Sequence, residues 1–460
     1  MQPKIDKSLW MVRRKRTFLI YCLLTFLIGL DGTMMTGTVL AYLKNFVEHQ
    51  HNTNLYYTLL YVAYFLSSIL FSAILSPIVD RKRNTRVMFS ICILLASIGN
   101  VIYTLPYHPW LLISGRFLAG VAHSMEPMIV AEIARSYNNE QTISKLGMLP
   151  IINQFGVICG PVLNTLFTNV DFSISDSYRI NFANAQGIFL ASVWLIAIII
   201  VLLFMSDLSA QFDLKAHLEI RKDPIKNRTK NPVKSTSDDD ATMQSKESQI
   251  TDGEKENTIW KVLFHLMLKD MDVLLILITS FFLSFCLTNT EMWLPLVAMQ
   301  TMKLSTLELN IIIGAYVLIS MIIWLVISCA KPSNKQLLYM LYINKMTLTC
   351  ILVELLVIFH YPTTYRSVTA SILCTLFGIY LATEGYVDGP FLAGNLAEIL
   401  PSYCQTFAQS VRANSKKLGD LAGIMSSVLI YNHIVVSAAV LIFFNFATIV
   451  AFARRKTSFV

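Results

Sequence analysis

Residues 115–161 read GRFLAGVAHSMEPMIVAEIARSYNNEQTISKLGMLPIINQFGVICGP. Two apolar helices flank a short polar bend. The first carries Arg116, His123, Glu126 and Glu132, and the second closes on Gly156-x-x-x-Gly160-Pro161. Ionisable side chains are expensive inside a membrane helix and mark a pathway or a functional pair. Glycines four apart let two helices approach closely. The combination points to a polytopic membrane protein with a path through it, not to a membrane anchor.

Working outward, the same grammar fills the chain. Of its 460 residues 55% are hydrophobic and 14% charged, a balance that soluble proteins rarely show. About 20 apolar residues cross a bilayer as a helix. Twelve such stretches can be laid out, at 17–43, 55–79, 87–106, 110–134, 146–168, 185–206, 272–298, 308–330, 337–359, 367–391, 406–431 and 433–453. The spans at 367–391 and 406–431 hold several polar residues each. The first stretch is too long for a signal peptide and is interrupted by Asp31, so it reads as a span.

The net charge of +8 is a topology signal. Arg13, Arg14, Lys15 and Arg16 precede the first span; Arg81, Lys82, Arg83 and Arg86 follow the second; Lys331 and Lys335 follow the eighth. Lys416 and Lys417 lie near the eleventh, and Arg454, Arg455 and Lys456 close the chain. The opposite loops hold few basic residues, so the positive-inside rule puts both termini in the cytosol. The basic groups are dispersed over loops, which argues against nucleic acid as a partner. The eight cysteines lie in or beside spans and show neither a disulfide framework nor metal-ligand spacing. No G-x-S-x-G, Walker loop or zinc spacing appears, so we expect no enzyme, no cofactor, no metal and no self-contained ATP-driven pump.

Composition changes abruptly after the sixth span. The stretch at 207–258 is charged, rich in Ser, Thr, Asn and Asp, and reads as a largely disordered cytosolic linker. The domain plan is therefore a cytosolic N-terminus at 1–16, an N-terminal six-helix bundle at 17–206, the linker, a C-terminal six-helix bundle at 259–453 and a cytosolic C-terminus at 454–460. An internal repeat supports it. A shift of 263 residues puts Gly115 on Gly378, Pro127 on Pro390, Gly156 on Gly419 and Gly160 on Gly423. Parallel six-helix halves with a site between them are a known carrier plan.

The intramembrane charges are the candidate site. Asp31, near the middle of span one, is either a protonatable carboxylate facing a central cavity or a structural one bonded to a neighbouring helix. Arg116, Gly120, His123 and Pro127 share one face of span four, with Glu126 on its flank; a buried guanidinium needs a carboxylate or carbonyl partner. His123 and Glu126, one turn apart, can exchange a proton. Glu132, near the cytosolic end, is expected to latch onto the basic loops. In the second half Glu384 of span ten is the better cavity candidate than Glu291, Glu354 or Asp388, and Arg412 is expected to pair with Glu384 or Glu398. Gly120, Gly156, Gly160, Pro161, Gly419 and Gly423 are helix-packing positions.

Several of these motifs resemble one family. Ser76-Pro-Ile-Val-Asp80-Arg81-Lys82-Arg83-Asn84-Thr85-Arg86 resembles the cytosolic loop signature of the major facilitator superfamily, a Gly, then Asp-Arg, then basic residues. Arg116-x-x-x-Gly120 and Gly156-x-x-x-Gly160-Pro161 resemble its fourth- and fifth-helix motifs. Ser76 replaces the first Gly of the loop signature, Arg83 stands where a second Gly is expected, and the signature does not recur after span eight. The run NQFGVICGPVLNTLF and Leu294-Pro295-Leu296 look like the lysosomal neuronal ceroid lipofuscinosis branch, while PMIVAEIA is equally similar to sugar porters.

The resemblance implies an all-α protein of twelve transmembrane helices in two pseudo-symmetric bundles. It implies a secondary active transporter that moves a small, anionic solute by alternating access, with protons coupled through Asp31 and the span-four charges, and a cytosolic gate at Asp80, Arg81 and Glu132. The alternatives are a passive anion-conducting channel on the same scaffold and a sugar-porter-like carrier. Small solute, protons and bilayer are the expected partners, the protein is expected to be a monomer, and a lysosomal or other endomembrane is its expected location, with the plasma membrane as the alternative.

Overall fold

The computed structural model describes residues 7–35, 38–44, 50–105, 107–167, 170–175, 178–182, 184–214, 270–296, 335–360, 387–432 and 434–454, with short pieces between 315 and 383. The described chain is almost wholly helical. Its helices are α1 (Lys7–Met34), α2 (Val39–Lys44), α3 (Gln50–Lys82), α4 (Thr85–Tyr103), α5 (Pro109–Ala119), α6 (Met125–Ser136), α7 (Asn139–Asn164), α8 (Ala185–Phe204), α9 (Leu208–Gln211), α10 (Met271–Leu296), α11 (Lys335–His360), α12 (Gly394–Ile399), α13 (Gln405–Asn432) and α14 (Ile434–Arg454). A short antiparallel hairpin, β1 (Asp171–Ser175) and β2 (Tyr178–Asn181), joins α7 to α8. In a bilayer every backbone amide needs an internal partner, which is why apolar sequence of this length settles as helix.

Among the described residues seven helices are long and apolar enough to cross a membrane: Ser8–Met34, Leu59–Lys82, Thr85–Tyr103, Pro109–Ser136, Asn139–Asn164, Ala185–Gln211 and Met271–Asn289. They overlap the first seven expected spans, though the first begins and ends nine residues before the expected 17–43, so the basic run Arg13–Arg16 lies inside α1. α11, α13 and α14 occupy the ninth, eleventh and twelfth. Most of the eighth expected span and most of the tenth lie outside the described residues, as do the termini at 1–6 and 455–460. What is described of the tenth runs past its expected end at 391, as a π-helical turn over Val387–Ala393 continued by α12 to Ile399.

Local chemistry explains the bends. α5 starts on His108, whose Nδ1 accepts the backbone N–H of Trp110 at 3.2 Å, and Pro109 fills the first helical position. Between α5 and α6 the helix tightens to 3-10 over Gly120–Ser124. Pro127 follows, lacks an N–H, and crowds the carbonyl four residues back, that of His123.

Buried apolar side chains gather in two clusters. One holds Leu24, Phe89 and Trp194; the other holds Val273, Tyr342, Phe391 and Phe452. Ala393 joins the first cluster and Ile143 the second, so each half lends one residue to the other's core. Within each half the same device closes one helix pair. A Cβ on Gly156 of α7 would strike the Phe26 carbonyl of α1, and one on Gly419 of α13 would strike the Phe281 carbonyl of α10. Gly160 and Gly423 repeat this one turn on, against Thr33 and Thr288. Gly120 abuts the Tyr64 carbonyl of α3. Pro161 lies near the end of α7.

The stretch read as a linker begins as folded chain. Leu208 and Ser209 are buried, and Asp213 pairs with Arg83, so residues 207–213 dock on the helix ends before the chain leaves the described region at 214.

Candidate functional site

Between the halves lies a cavity of about 320 Å³. α1 contributes Thr25, α6 Glu126, and α7 Asn153 and Gln154; the opposite wall is Asp388 from the π-helical turn with Arg412 and Lys416 from α13. Arg412 forms an ion pair with Asp388 and donates to Gln409 at 3.2 Å, and Lys416 reaches the other Asp388 oxygen at 3.2 Å. A carboxylate shared by two cations leaves that wall with an excess of positive charge. Glu384, the expected cavity acid, lies outside the described residues. Arg412 pairs with Asp388, its neighbour on that wall, and not with Glu398, which accepts from Asn139 at 3.2 Å.

Lys417 is the residue that sequence reading misplaced most. Counted there as a topology charge, it is buried at the inter-half contact. Its Nζ donates to Ser68 Oγ at 2.6 Å and to the His123 carbonyl at 3.3 Å. Pro127 has no N–H to give that carbonyl, which takes the Met125 N–H at the end of the 3-10 turn and, from the opposite half, the Lys417 ammonium. One turn away Ser72 Oγ donates to Asn414 Oδ1 at 2.7 Å. The His123 ring itself packs edge-on against Tyr64, with centroids 5.1 Å apart, while Glu126 lines the cavity. The two are neighbours on one helix with different surroundings.

Asp31 and Arg116 come together, away from the cavity lining. Arg116 Nη1 donates to Asp31 Oδ1 at 2.9 Å, and Asp31 Oδ2 accepts from Trp194 Nε1 at 2.7 Å and Asn100 Nδ2 at 3.1 Å. The guanidinium also lies 4.2 Å from the Tyr64 ring centroid. Five helices thus supply one buried cluster. Of the two placements open to Asp31, the structure has the one bonded to neighbouring helices: its carboxylate is fully enclosed and takes its hydrogen bonds within the N-terminal half. Arg116 has the carboxylate partner that its burial requires.

The face that carries Arg13, Arg16 and Arg86, called here the basic face, is closed by a latch. Asp80, at the end of α3, accepts the backbone N–H groups of Thr406 at 3.0 Å and Phe407 at 2.8 Å. Those amides belong to the first turn of α13, where a helix has free donors and a positive dipole end. Arg135 pairs with Asp80, meets Glu132 at 3.2 Å, and donates to the Ser402 carbonyl at 3.1 Å and Thr406 Oγ1 at 2.9 Å. Glu132 also accepts from Ser209 at 2.7 Å. Asp80 and Glu132 are where a gate was expected, but the expected pairing is revised: Glu132 engages Arg135 of its own helix, not the basic loops, and Arg81 is exposed. Arg135, the hub of these bonds, is not among the residues singled out from the sequence.

Arg83 completes the latch, meeting Asp213 at 3.3 Å and the Ser402 carbonyl at 3.3 Å. Its φ of 52° is left-handed, the conformation that favours glycine. Burial, with Arg135 beside it, lowers its pKa, though a guanidinium keeps its charge.

The family model described as Major Facilitator Superfamily matches residues 21–424. Two solved structures share the fold. The human organic anion transporter MFSD10 (TETRAN) superposes with a TM-score of 0.66 at 12% identity, covering 95% of this chain and 98% of that one. The proton:xylose symporter XylE, bound to 6-bromo-6-deoxy-D-glucose, gives a TM-score of 0.66 at 15% identity, covering 96% and 95%. No curated relative matches the chain.

Proposed function

We propose, for a chain that belongs to the Major Facilitator Superfamily, a proton-coupled secondary active transporter for a small organic anion. The twelve-helix fold and a multi-pass membrane protein are given by the family. Substrate, coupling and orientation are our reading. The observation that carries the substrate class is the cavity wall on which Asp388 is outnumbered by Arg412 and Lys416. A cavity of about 320 Å³ is at the small end of ligand pockets. It suits a carboxylate-bearing metabolite, whose charge Lys416 can meet by exchanging its bond to Asp388. One of the two structural neighbours named above transports organic anions, which agrees with this reading.

In the cycle we propose, the basic face is cytosolic, as are both termini. The latch at Asp80, Glu132 and Arg135 holds that face shut while the other is open, and the two bundles at 17–206 and 259–453 rock about the cavity. Arg81, exposed, adds charge to that face. Proton coupling runs through the Asp31–Arg116 pair: protonating Asp31 would release the guanidinium and loosen the five-helix cluster that backs the cavity. His123, Glu126 and Glu384 remain candidates on the proton path. The protein acts as a monomer, without enzymatic activity, in a lysosomal or related endomembrane. That location draws on the runs at 153–167 and 294–296, and organelle-resolved imaging of the tagged chain tests it.

Transport in phosphatidylcholine proteoliposomes tests the main reading. A carrier saturates and shows counterflow of an organic anion panel, whereas a channel passes current in proportion to voltage and shows none. Lys416→Gln should raise KM for the anion about ten-fold, the value of one charge-assisted hydrogen bond, and leave neutral sugars unaffected. Saturable uptake of sugars with no anion transport would sink the proposal.

A further inference from the structure

A second cavity, of about 300 Å³, lies on the basic face at the foot of α1, α4 and α8, apart from both the central cavity and the latch. Arg13 and Arg16 enter it from α1 and Arg86 from α4. Arg13 donates to Gln211 at 3.4 Å, and Arg16 lies 5.9 Å from the Phe204 ring centroid. Arg86 gives only its backbone N–H to Asp207, the one carboxylate lining the site. The Asp207 oxygen involved also accepts from Thr85 Oγ1 at 2.8 Å, so it is engaged at the start of α4. Among the described residues the guanidinium heads of Arg16 and Arg86 meet no carboxylate. Three guanidinium groups around one committed carboxylate form a site for a doubly or singly charged phosphate.

The wall above the site tells which phosphate. Leu203 lines the cavity and is 67% exposed; beside it Phe204 is exposed, and Leu19 stands one turn above Arg16, also 67% exposed. Farther up α8, Ile199, Ile196 and Leu195 continue the exposed apolar track. In a membrane-spanning chain these side chains face acyl tails, and the arginines stand at headgroup depth. A soluble phosphate would have no use for the apolar track. We propose that this site binds the phosphate of an anionic phospholipid, its headgroup among Arg13, Arg16 and Arg86 and its tails along α1 and α8. The proposal rests on the reading of the chain as membrane-spanning.

Native mass spectrometry of the full chain in detergent tests it, with phosphatidylinositol phosphate and phosphatidylserine titrated against phosphatidylcholine. The wild type should retain the anionic lipids in preference to phosphatidylcholine. Arg16→Gln with Arg86→Gln should weaken them roughly thirty-fold, at about 1 kcal/mol for each arginine at the surface. Arg16→Gln alone should weaken them roughly five-fold, and serves if the double variant melts early. Lys15→Gln with Arg454→Gln, two exposed basic residues outside the site, should change little. Equal retention by wild type and double variant, or equal loss in the control, would overturn the proposal by reducing the effect to diffuse surface charge. Displacement of the lipid by inorganic phosphate at comparable concentration would overturn it in favour of a soluble ligand. Counterflow in pure phosphatidylcholine needs no anionic lipid, so the carrier reading and this site fail separately.

Discussion

Lys417 donates to the carbonyl of His123, 3.3 Å away in the opposite half of the molecule, beside the Met125 N–H that this carbonyl takes at the end of the 3-10 turn, Pro127 having no N–H to give it. A defect in one helix is thus made good by a cation from another. This is the membrane solution to a helix break: the freed backbone group must find a partner in protein, since lipid offers none.

Lys417→Met should remove the Nζ bonds to Ser68 and to the His123 carbonyl and lower stability by about 1–3 kcal/mol, read as an earlier thermal transition in detergent. Pro127→Ala restores a helical donor. Placed in the Lys417→Met background, it should recover most of the loss. A double variant no more stable than Lys417→Met would show that Lys417 acts elsewhere.

The Asp31–Arg116 pair makes two separable predictions. Arg116→Leu strands a buried carboxylate and should cost about 3–5 kcal/mol, whereas replacing both partners with leucine should cost less than that single change. Asp31→Asn should abolish uptake driven by a pH gradient and preserve part of the solute exchange. A normal response of that variant to the gradient would remove Asp31 from the coupling scheme.

Asp80→Asn and Arg135→Gln each remove charge-assisted bonds from the latch, worth about 1.5–3 kcal/mol apiece. The population should move roughly ten- to a hundred-fold toward an open basic face. A cysteine placed at Asn153 in the cavity should then react faster with a membrane-impermeant maleimide added from that side. Unchanged labelling would mean that Asp80 and Arg135 brace the helices without gating them.

The glycine seams predict matched behaviour. Gly156→Ala and Gly419→Ala should each destabilise by about 1–3 kcal/mol, since the new methyl meets a backbone carbonyl that has no room to give. At Gly394 the nearest atom to a new Cβ is 4.0 Å away, so Gly394→Ala should be neutral or stabilise by up to about 1 kcal/mol. Thermal melts of the three variants distinguish the seam from a general intolerance of alanine.

Much of the fold was legible in the chain because hydrophobic length is a direct readout of bilayer thickness. The repeat was legible in Gly156 and Gly419, since close approach admits no other residue. The partners of the charges were harder to read. Arg116 announced its need for a carboxylate, but a single sequence does not say that α1 and α5 bring Asp31 to it. Lys416 and Lys417 fall in the middle of the eleventh span, so as intramembrane cations they mark the contact between the halves, Lys416 in the cavity and Lys417 against Ser68. Arg135 and Asp213 gain their roles only when helix ends meet across the two halves. Arg83 departs from the family's glycine yet keeps its left-handed backbone, and the bonds to Asp213 and Ser402 accompany that departure.

The four seam glycines all press against helices of their own half. The tightest glycine seams therefore lie inside each bundle, and among the described residues the bundles are joined by exchangeable bonds at Asp80, Arg83, Arg135, Asn139, Ser72 and Lys417 and by the packing of Ala393 and Ile143 across the contact. A molecule made this way should survive being cut: two polypeptides divided after residue 214 and produced together should find each other in the bilayer and restore solute exchange.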